Sequence, residues 1–248
     1  MRALVLTDFG ATPTIADLDI PEPAEGEVRV RVRAASVNGF DLAVAAGYLK
    51  DMMEHRPRAC RFCRGQCLRR GRNSARTDRA GRRRHRRSGD QAVQLAVKAG
   101  AHVIATAHTD EEEALVKALG AQEVVDHFGD VRSQVLASHA DGVDVVFHFA
   151  GDPAALLPVV RANGRLVSTL LSSADQLPTD AVTVVPISAN PDQATLDRCA
   201  DNQALQKTRV TIQKVYGLEE TFAAFSDFTG GTLGKLVITT APTSALED

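Results

Sequence analysis

Hydrophobic positions in this chain change period between its two ends. Residues 3–6 make a short apolar run of strand character. From Val28 to Arg33, valine and arginine alternate after the turn-forming Pro21-Glu22-Pro23. That period of two predicts a strand with one polar face. Residues 34–41 lead into a short helix ending near Gly47. From Gln91 onward, helix and strand patterns alternate. Residues 91–99 predict a helix stopped by Gly100, and the nearly all-apolar 102–106 predicts a strand covered on both faces. Asp110 opens the next helix, with Glu111, Glu112 and Glu113 in its first turn and Gly120 past its end. Strands are expected at 123–126, 143–149 and 165–170, with helices at 131–140 and 153–162 between them. Segments 193–204 and 218–228 and a strand at 236–239 close the series. This alternation predicts an α/β fold built on a doubly wound parallel sheet with crossovers of the normal hand.

Composition adds two things to that pattern. With 248 residues, 44% hydrophobic and 24% charged, most of the chain is expected to be globular, in one or two domains. No apolar run approaches the roughly 20 residues of a membrane span. The opening strand-like stretch meets Asp8 too early for a secretory leader, so the expected location is the cytoplasm. The net charge of −2 conceals an asymmetry: residues 57–88 hold thirteen arginines, one acid (Asp78) and three of the four cysteines. So few of these residues are aliphatic or aromatic that a disordered or poorly packed segment is expected.

A parallel α/β sheet binds ligands outside the carboxyl ends of its strands. In the nicotinamide-binding version, a glycine-rich turn after the first strand lets the backbone approach a pyrophosphate at a helix N-terminus. The expected helix is present near Gln91. The positions before it read Ala80-Gly81-Arg82-Arg83-Arg84-His85-Arg86-Arg87-Ser88-Gly89, and bulky arginines cannot reproduce a glycine turn. Enzymes that prefer NAD place an acid at the end of the second strand, to take the ribose hydroxyls. Here that place holds Ala107, then His108 and Thr109, which leaves room for a 2′-phosphate and favours NADP(H). The competing view of these three residues is an ordinary strand-to-helix turn.

At this point the chain resembles the medium-chain dehydrogenase/reductase superfamily, in its zinc-independent quinone oxidoreductase branch. One block of similarity is Pro21-Glu22-Pro23 with Ala34-Ala35-Ser36-Val37-Asn38-Gly39-Phe40-Asp41, which is similar to the start of a GroES-like catalytic domain. The other runs from Gln91-Ala92-Val93-Gln94-Leu95-Ala96 through Leu119-Gly120-Ala121 and Gly142-Val143-Asp144-Val145-Val146 to Gly234-Lys235-Leu236-Val237-Ile238. The resemblance implies a Rossmann-type doubly wound parallel sheet preceded by a partial GroES-like β-rich domain. It divides the chain into a catalytic part at 1–56, the anomalous segment 57–88, a nucleotide-binding domain at 89–240 and a tail at 241–248.

The resemblance also implies chemistry. Zinc-dependent relatives carry a catalytic cysteine where this chain has Asn38, and an amide is a poor zinc ligand. Hydride transfer from NADPH to a quinone, enone or similar carbonyl substrate, without metal, is therefore expected. Asn38 and Asp41 would lie near the nicotinamide and Tyr48 would face the substrate. Gly89, the Ala107-His108-Thr109 corner, Phe149-Ala150-Gly151 after the fourth strand, and Leu170 would meet the cofactor. A homodimer is the family's usual assembly. The plainer alternatives are a turn residue for Asn38, a helix cap for Asp41 and core packing for Phe147 and Phe149; His127 and His148 are expected to be structural or solvent-facing.

The anomalous segment departs from the family. Arginine codons of the CGN type, read from their second base, become GNC, which encodes Val, Ala, Gly or Asp. Residues 82–88 can then become Val-Gly-Ala-Thr-Gly-Gly-Val, directly before the in-frame Gly89, which predicts a shifted reading frame in a shortened coding region. The chain is then expected to bind NADPH weakly or not at all. Cys60, Cys63 and Cys67 imitate part of a zinc lobe, but a closed site needs four ligands. Only His55, His85 or Cys199 could supply the fourth, so no metal site is expected. The rival function is a non-catalytic α/β module with 57–88 as a basic arm that binds nucleic acid through charge.

Overall fold

The computed structural model describes residues 1–48, 50–51, 86–188 and 192–240. The expected disorder and nucleic-acid contact of 57–88, and the tail at 241–248, fall outside these residues, except that the backbone at 86–88 is helical. In chain order the elements are β1 (Arg2–Val5), β2 (Thr14–Asp17), β3 (Ala34–Ser36) and α1 (Gly39–Ala45). They continue with α2 (Arg86–Lys98), β4 (Ile104–Ala107), α3 (Asp110–Ala118), β5 (Glu123–Asp126) and α4 (Val131–Ser138). Next come β6 (Val143–His148), β7 (Val160–Ser168), β8 (Thr183–Pro186) and α5 (Gln193–Ala204). The last are β9 (Ile212–Gly217), α6 (Thr221–Gly230) and β10 (Lys235–Thr239). Among the described residues, no helix is long and apolar enough to cross a membrane.

The chain folds into two compact units, Met1–Arg79 with Ile212–Asp248, and Ala80–Thr211. Residues 212–240, which the sequence pattern runs on from the second domain, are grouped with the first unit. There β10 is the middle strand of a three-stranded sheet, antiparallel to β3 and parallel to β9. β1 and β2 form a separate antiparallel pair. One core joins them, with Leu4, Val37, Tyr216, Leu236 and Ile238 buried together. The valine–arginine alternation at 28–33 is not a strand, contrary to its period: Val28 and Val30 are exposed, the Arg29 side chain donates to Glu22 Oε1 at 2.9 Å, and the end of the run meets Thr240, whose N–H donates to Arg33 O at 3.1 Å. A strand of that pattern needs a neighbour and a core to face, and the described residues supply neither.

The second unit is parallel throughout. β4 pairs with β5, and β6, β7 and β8 pair in that order. A doubly wound sheet has strand order 3-2-1-4-5-6. Taking its first strand out leaves two strands on one side and three on the other, which is the arrangement of β5-β4 and β6-β7-β8. Val125 of β5, Val135 of α4 and Val159 form one buried cluster with Ile104 and Val146 packed on it, so a shared core joins the two part-sheets. Buried Gln94 docks α2: its side-chain amide donates to Arg209 O at 3.0 Å and accepts from Arg209 N–H at 2.8 Å.

Several expectations need correction. The helix expected from Gln91 starts at Arg86, because arginine and serine continue a helix readily. The helix expected at 153–162 is a 3₁₀ turn, Ala154–Val159, because Pro158 lacks the N–H that an α-helix would use. β7 then starts five residues before the expected strand and ends before Leu170. Phe147 is 49% exposed, not core, since the face of β6 that carries it and Val145 is only half covered. β2, β3, β8 and β9 have no counterpart in the sequence pattern.

Candidate functional site

Ligands of a parallel sheet meet the carboxyl ends of its strands. At the end of β4, Ala107 is buried beside Asp126, its register partner at the end of β5. Thr109 caps α3, its hydroxyl oxygen accepting from Glu112 N–H at 3.2 Å. His108 lies between them: its backbone N–H donates to Glu112 Oε2 at 2.9 Å, and its Nδ1 is 3.0 Å from Asp126 Oδ1. The Phe128 backbone N–H and then the His108 ring hold the Asp126 carboxyl below its ordinary value. The rings of His108 and His127 both pack on Phe128, which is 75% exposed. This corner therefore offers a small floor, an exposed aromatic and a half-exposed imidazole, beside four acids in the first turn of α3.

At the ends of β6 and β7 the centre is His148, which is 1% exposed. Its Nδ1 is 2.9 Å from Ser168 Oγ and its Nε2 is 3.3 Å from Gly151 O. A carbonyl only accepts, so Nε2 carries the hydrogen and Nδ1 accepts from the Ser168 hydroxyl. Ser168 Oγ in turn accepts from the N–H groups of Leu170 and Leu171 at 3.1 and 3.2 Å. One imidazole thus ties the turn at Gly151 to the turn at Leu170. Gly151 has φ +84, and among the described residues no atom beyond its chain neighbours lies within 4 Å of where its Cβ would be. Ala150 is exposed, and Leu170 is 37% exposed. Thr169 Oγ1 is buried with no hydrogen-bond partner among the described residues. Gly89, on α2, comes against the same group, since a Cβ there would lie 4.0 Å from Phe149 Cδ2. The fold thus brings Gly89, Phe149, Ala150, Gly151 and Leu170 to one end of β6 and β7.

The remaining expected residues lie in the first unit. Asn38 ends the turn before α1, and its backbone N–H donates to Asp41 Oδ2 at 2.9 Å. Its Nδ2 donates to Ser36 O at 2.9 Å, and its Oδ1 accepts from Lys235 Nζ at 3.1 Å. Tyr48 is 75% exposed past the end of α1. Sequence patterning did not single out Ser168 or Lys235 as site residues. Each acts through a partner on a distant strand, so no local spacing reveals it.

Residues 89–183 match the family model described as "Zinc-binding dehydrogenase". Glucose 1-dehydrogenase 1 of Haloterrigena turkmenica is 45% identical over 47 residues, which is 19% of this chain and 13% of that enzyme. The chain thus matches far less than two thirds of that relative's length. Among solved structures, the quinone oxidoreductase from Thermus thermophilus, also solved in complex with NADPH, is 22% identical with a TM-score of 0.71, over 96% of this chain and 100% of that one. The alcohol dehydrogenase from Aeropyrum pernix is 18% identical, TM-score 0.68, over 96% and 100%. An alcohol dehydrogenase superfamily protein from Novosphingobium aromaticivorans is 18% identical, TM-score 0.73, over 97% and 100%. At these identities the likeness is one of fold. The chain has the α/β fold of medium-chain alcohol dehydrogenases and quinone oxidoreductases.

Proposed function

We propose that the chain is the frame of an NADP(H)-dependent oxidoreductase that passes hydride to a quinone, enone or related carbonyl compound without zinc. The observation that carries this reading is the cluster at the carboxyl ends of β6 and β7. There a buried histidine holds two turns in place, an open positive-φ glycine leaves room, and the Thr169 hydroxyl lacks a partner among the described residues. A dinucleotide fits such a place, with Phe149, Ala150, Gly151 and Leu170 along its nicotinamide half and Ala107, His108 and Thr109 at its adenosine end. When bound, it would supply the hydride. The protein's part is to orient the acceptor carbon and to place donors where oxyanion charge develops.

Zinc does not suit Asn38. Its amide oxygen already accepts from the Lys235 ammonium, and a second cation beside that ammonium would be repelled. Asn38 and Lys235 would instead act as donors toward a developing oxyanion, with Asp41 holding the Asn38 backbone and Tyr48 facing the substrate. A cytoplasmic homodimer belongs to the same reading.

The acidic first turn of α3 favours a second reading, NAD(H), because a 2′-phosphate beside Glu111, Glu112 and Asp126 meets like charge. Titration with NADPH and with NADH, followed by saturation-transfer NMR that detects weak ligands, separates the two. The expected result is weak binding that favours NADPH and loses that preference in His108→Ala. Replacing residues 82–88 with Val-Gly-Ala-Thr-Gly-Gly-Val should tighten NADPH binding by about tenfold or more, by supplying the backbone donors of a phosphate turn. Micromolar NADPH affinity in the unaltered chain would overturn the expectation of weak binding. No binding by either chain would sink the oxidoreductase reading.

A further inference from the structure

The edge of the second unit opposite the cofactor ends carries a different cluster. His102 lies just before β4, Glu123 is the first residue of β5, and His139 is the C-terminal cap of α4. Their ligand atoms all lie within 4.8 Å of one another. His102 Nε2 is 2.6 Å and His139 Nε2 2.9 Å from the same oxygen, Glu123 Oε1. The two imidazole centroids are 5.8 Å apart.

We propose that His102, Glu123 and His139 bind a divalent transition-metal ion, Zn²⁺ foremost, as a clamp across β4, β5 and α4. Two imidazole nitrogens and one carboxylate oxygen are the donor set that borderline metals take, leaving a fourth position for water. A tetrahedral ion at about 2.0–2.2 Å from each donor would set them roughly 3.3 Å apart. Small side-chain rotations reach that spacing from the present distances. The ion would bond each Nε2 in place of its hydrogen, which passes to Nδ1 of the same ring or, where Nδ1 already carries one, leaves as a proton to solvent.

Hydrogen bonds hold the backbone at or beside all three residues in place beforehand. Ala101 N–H donates to Ala96 O at 3.0 Å, and Val103 N–H to Gln122 Oε1 at 2.7 Å, which fixes both neighbours of His102. Glu123 N–H donates to Val103 O at 3.2 Å. His139 N–H donates to Val135 O at 2.9 Å, while its carbonyl accepts from Gly142 N–H at 2.8 Å. A preformed site of this kind loses little entropy on binding. All three side chains keep some exposure (54%, 35% and 30%), so an ion can enter from solvent.

Position sets the role. Glu123 and Ile104 begin β5 and β4, whereas Ala107 and Asp126 end them. A strand length of about 10 Å separates the cluster from the proposed cofactor corner. The ion would therefore lie apart from that corner and tie the two-stranded part-sheet to α4, with water in its fourth position, and the inference stands whether or not the oxidoreductase reading holds.

The test uses the full chain, stripped of metal and titrated with Zn²⁺ by calorimetry and with Co²⁺ by absorption. One ion per chain should bind, the thermal midpoint should rise with Zn²⁺, and the Co²⁺ complex should lack the strong near-ultraviolet band of thiolate ligation. His102→Ala and His139→Ala should each weaken Zn²⁺ binding by about tenfold or more. Glu123→Gln, which keeps the shape of the side chain, should do the same if either alanine variant fails to fold. Binding that survives these changes, or that disappears when Cys60, Cys63 and Cys67 become serine, would overturn the proposal. So would the absence of any zinc-dependent rise in the midpoint.

Discussion

His148 is a buried polar residue with every hydrogen-bonding atom of its ring used. Replacing it with leucine removes the donor to Gly151 O and the acceptor for the Ser168 hydroxyl, so His148→Leu should cost about 1–3 kcal/mol. Urea denaturation would measure this, and a change under about 0.5 kcal/mol would show that the tie is not structural. A second residue-scale prediction concerns acid. Asp227 accepts from the Tyr216 hydroxyl and the Lys214 ammonium, in that order of effect, and its carboxyl is held below its ordinary value. A carboxyl lowered in the folded state gives its full stabilisation above the unfolded value, near 4, and loses it as pH falls through the folded value. Asp227→Asn should therefore lower the thermal midpoint at neutral pH. The gap from the parent chain should close as pH falls below about 4. A gap that stayed constant across the acid range would refute that assignment.

Elements in the second unit were largely legible. Asp110 marks a helix start that the structure keeps, and the helices expected from 131 and 193 start there, capped by the side chains of Asp130 and Asp192. β5 and α5 have the bounds that the pattern predicts. Elements defined by long-range pairing were not legible. β9 owes its strand state to β10, and among the described residues the 28–33 alternation has no strand paired along it. Gly89 allows a test of what α2 has become. In a phosphate turn, a side chain at a glycine is damaging because the backbone must lie close to the ligand. Here Gly89 is the fourth residue of a helix, and among the described residues an added Cβ would meet only a loose 4.0 Å neighbour. Gly89→Ala should therefore stabilise the fold, by roughly 0.5–1 kcal/mol in chemical denaturation. A loss of stability would mean that the position still behaves as a turn.

At the scale of the molecule, the second unit divides between β4 and β6. Each pairs on one side only among the described residues, whereas β7 pairs on both. Amide hydrogen exchange should protect β7 most, with β4 and β6 exchanging sooner. Equal protection of all three would mean that a further strand joins the part-sheets. Sequencing the coding DNA across codons 56–90 addresses the cause. Codons that yield the glycine fingerprint in the second frame are expected, and codons incompatible with it would leave the arginine segment as an original feature.

The sequence by itself determined the α/β class, the order of most elements in 91–240, the absence of the glycine turn and the residues gathered at the strand ends. These are local properties: period, caps, and residue size at a stated position. Only the tertiary structure decided that 212–240 belongs with the first unit, that Lys235 donates to Asn38, that Ser168 completes the His148 tie, and that His102, Glu123 and His139 meet. Those facts depend on which strands pair and in what register. A lysine 197 positions from its asparagine leaves no periodic trace in the chain, because the contact exists only once β10 has paired with β3.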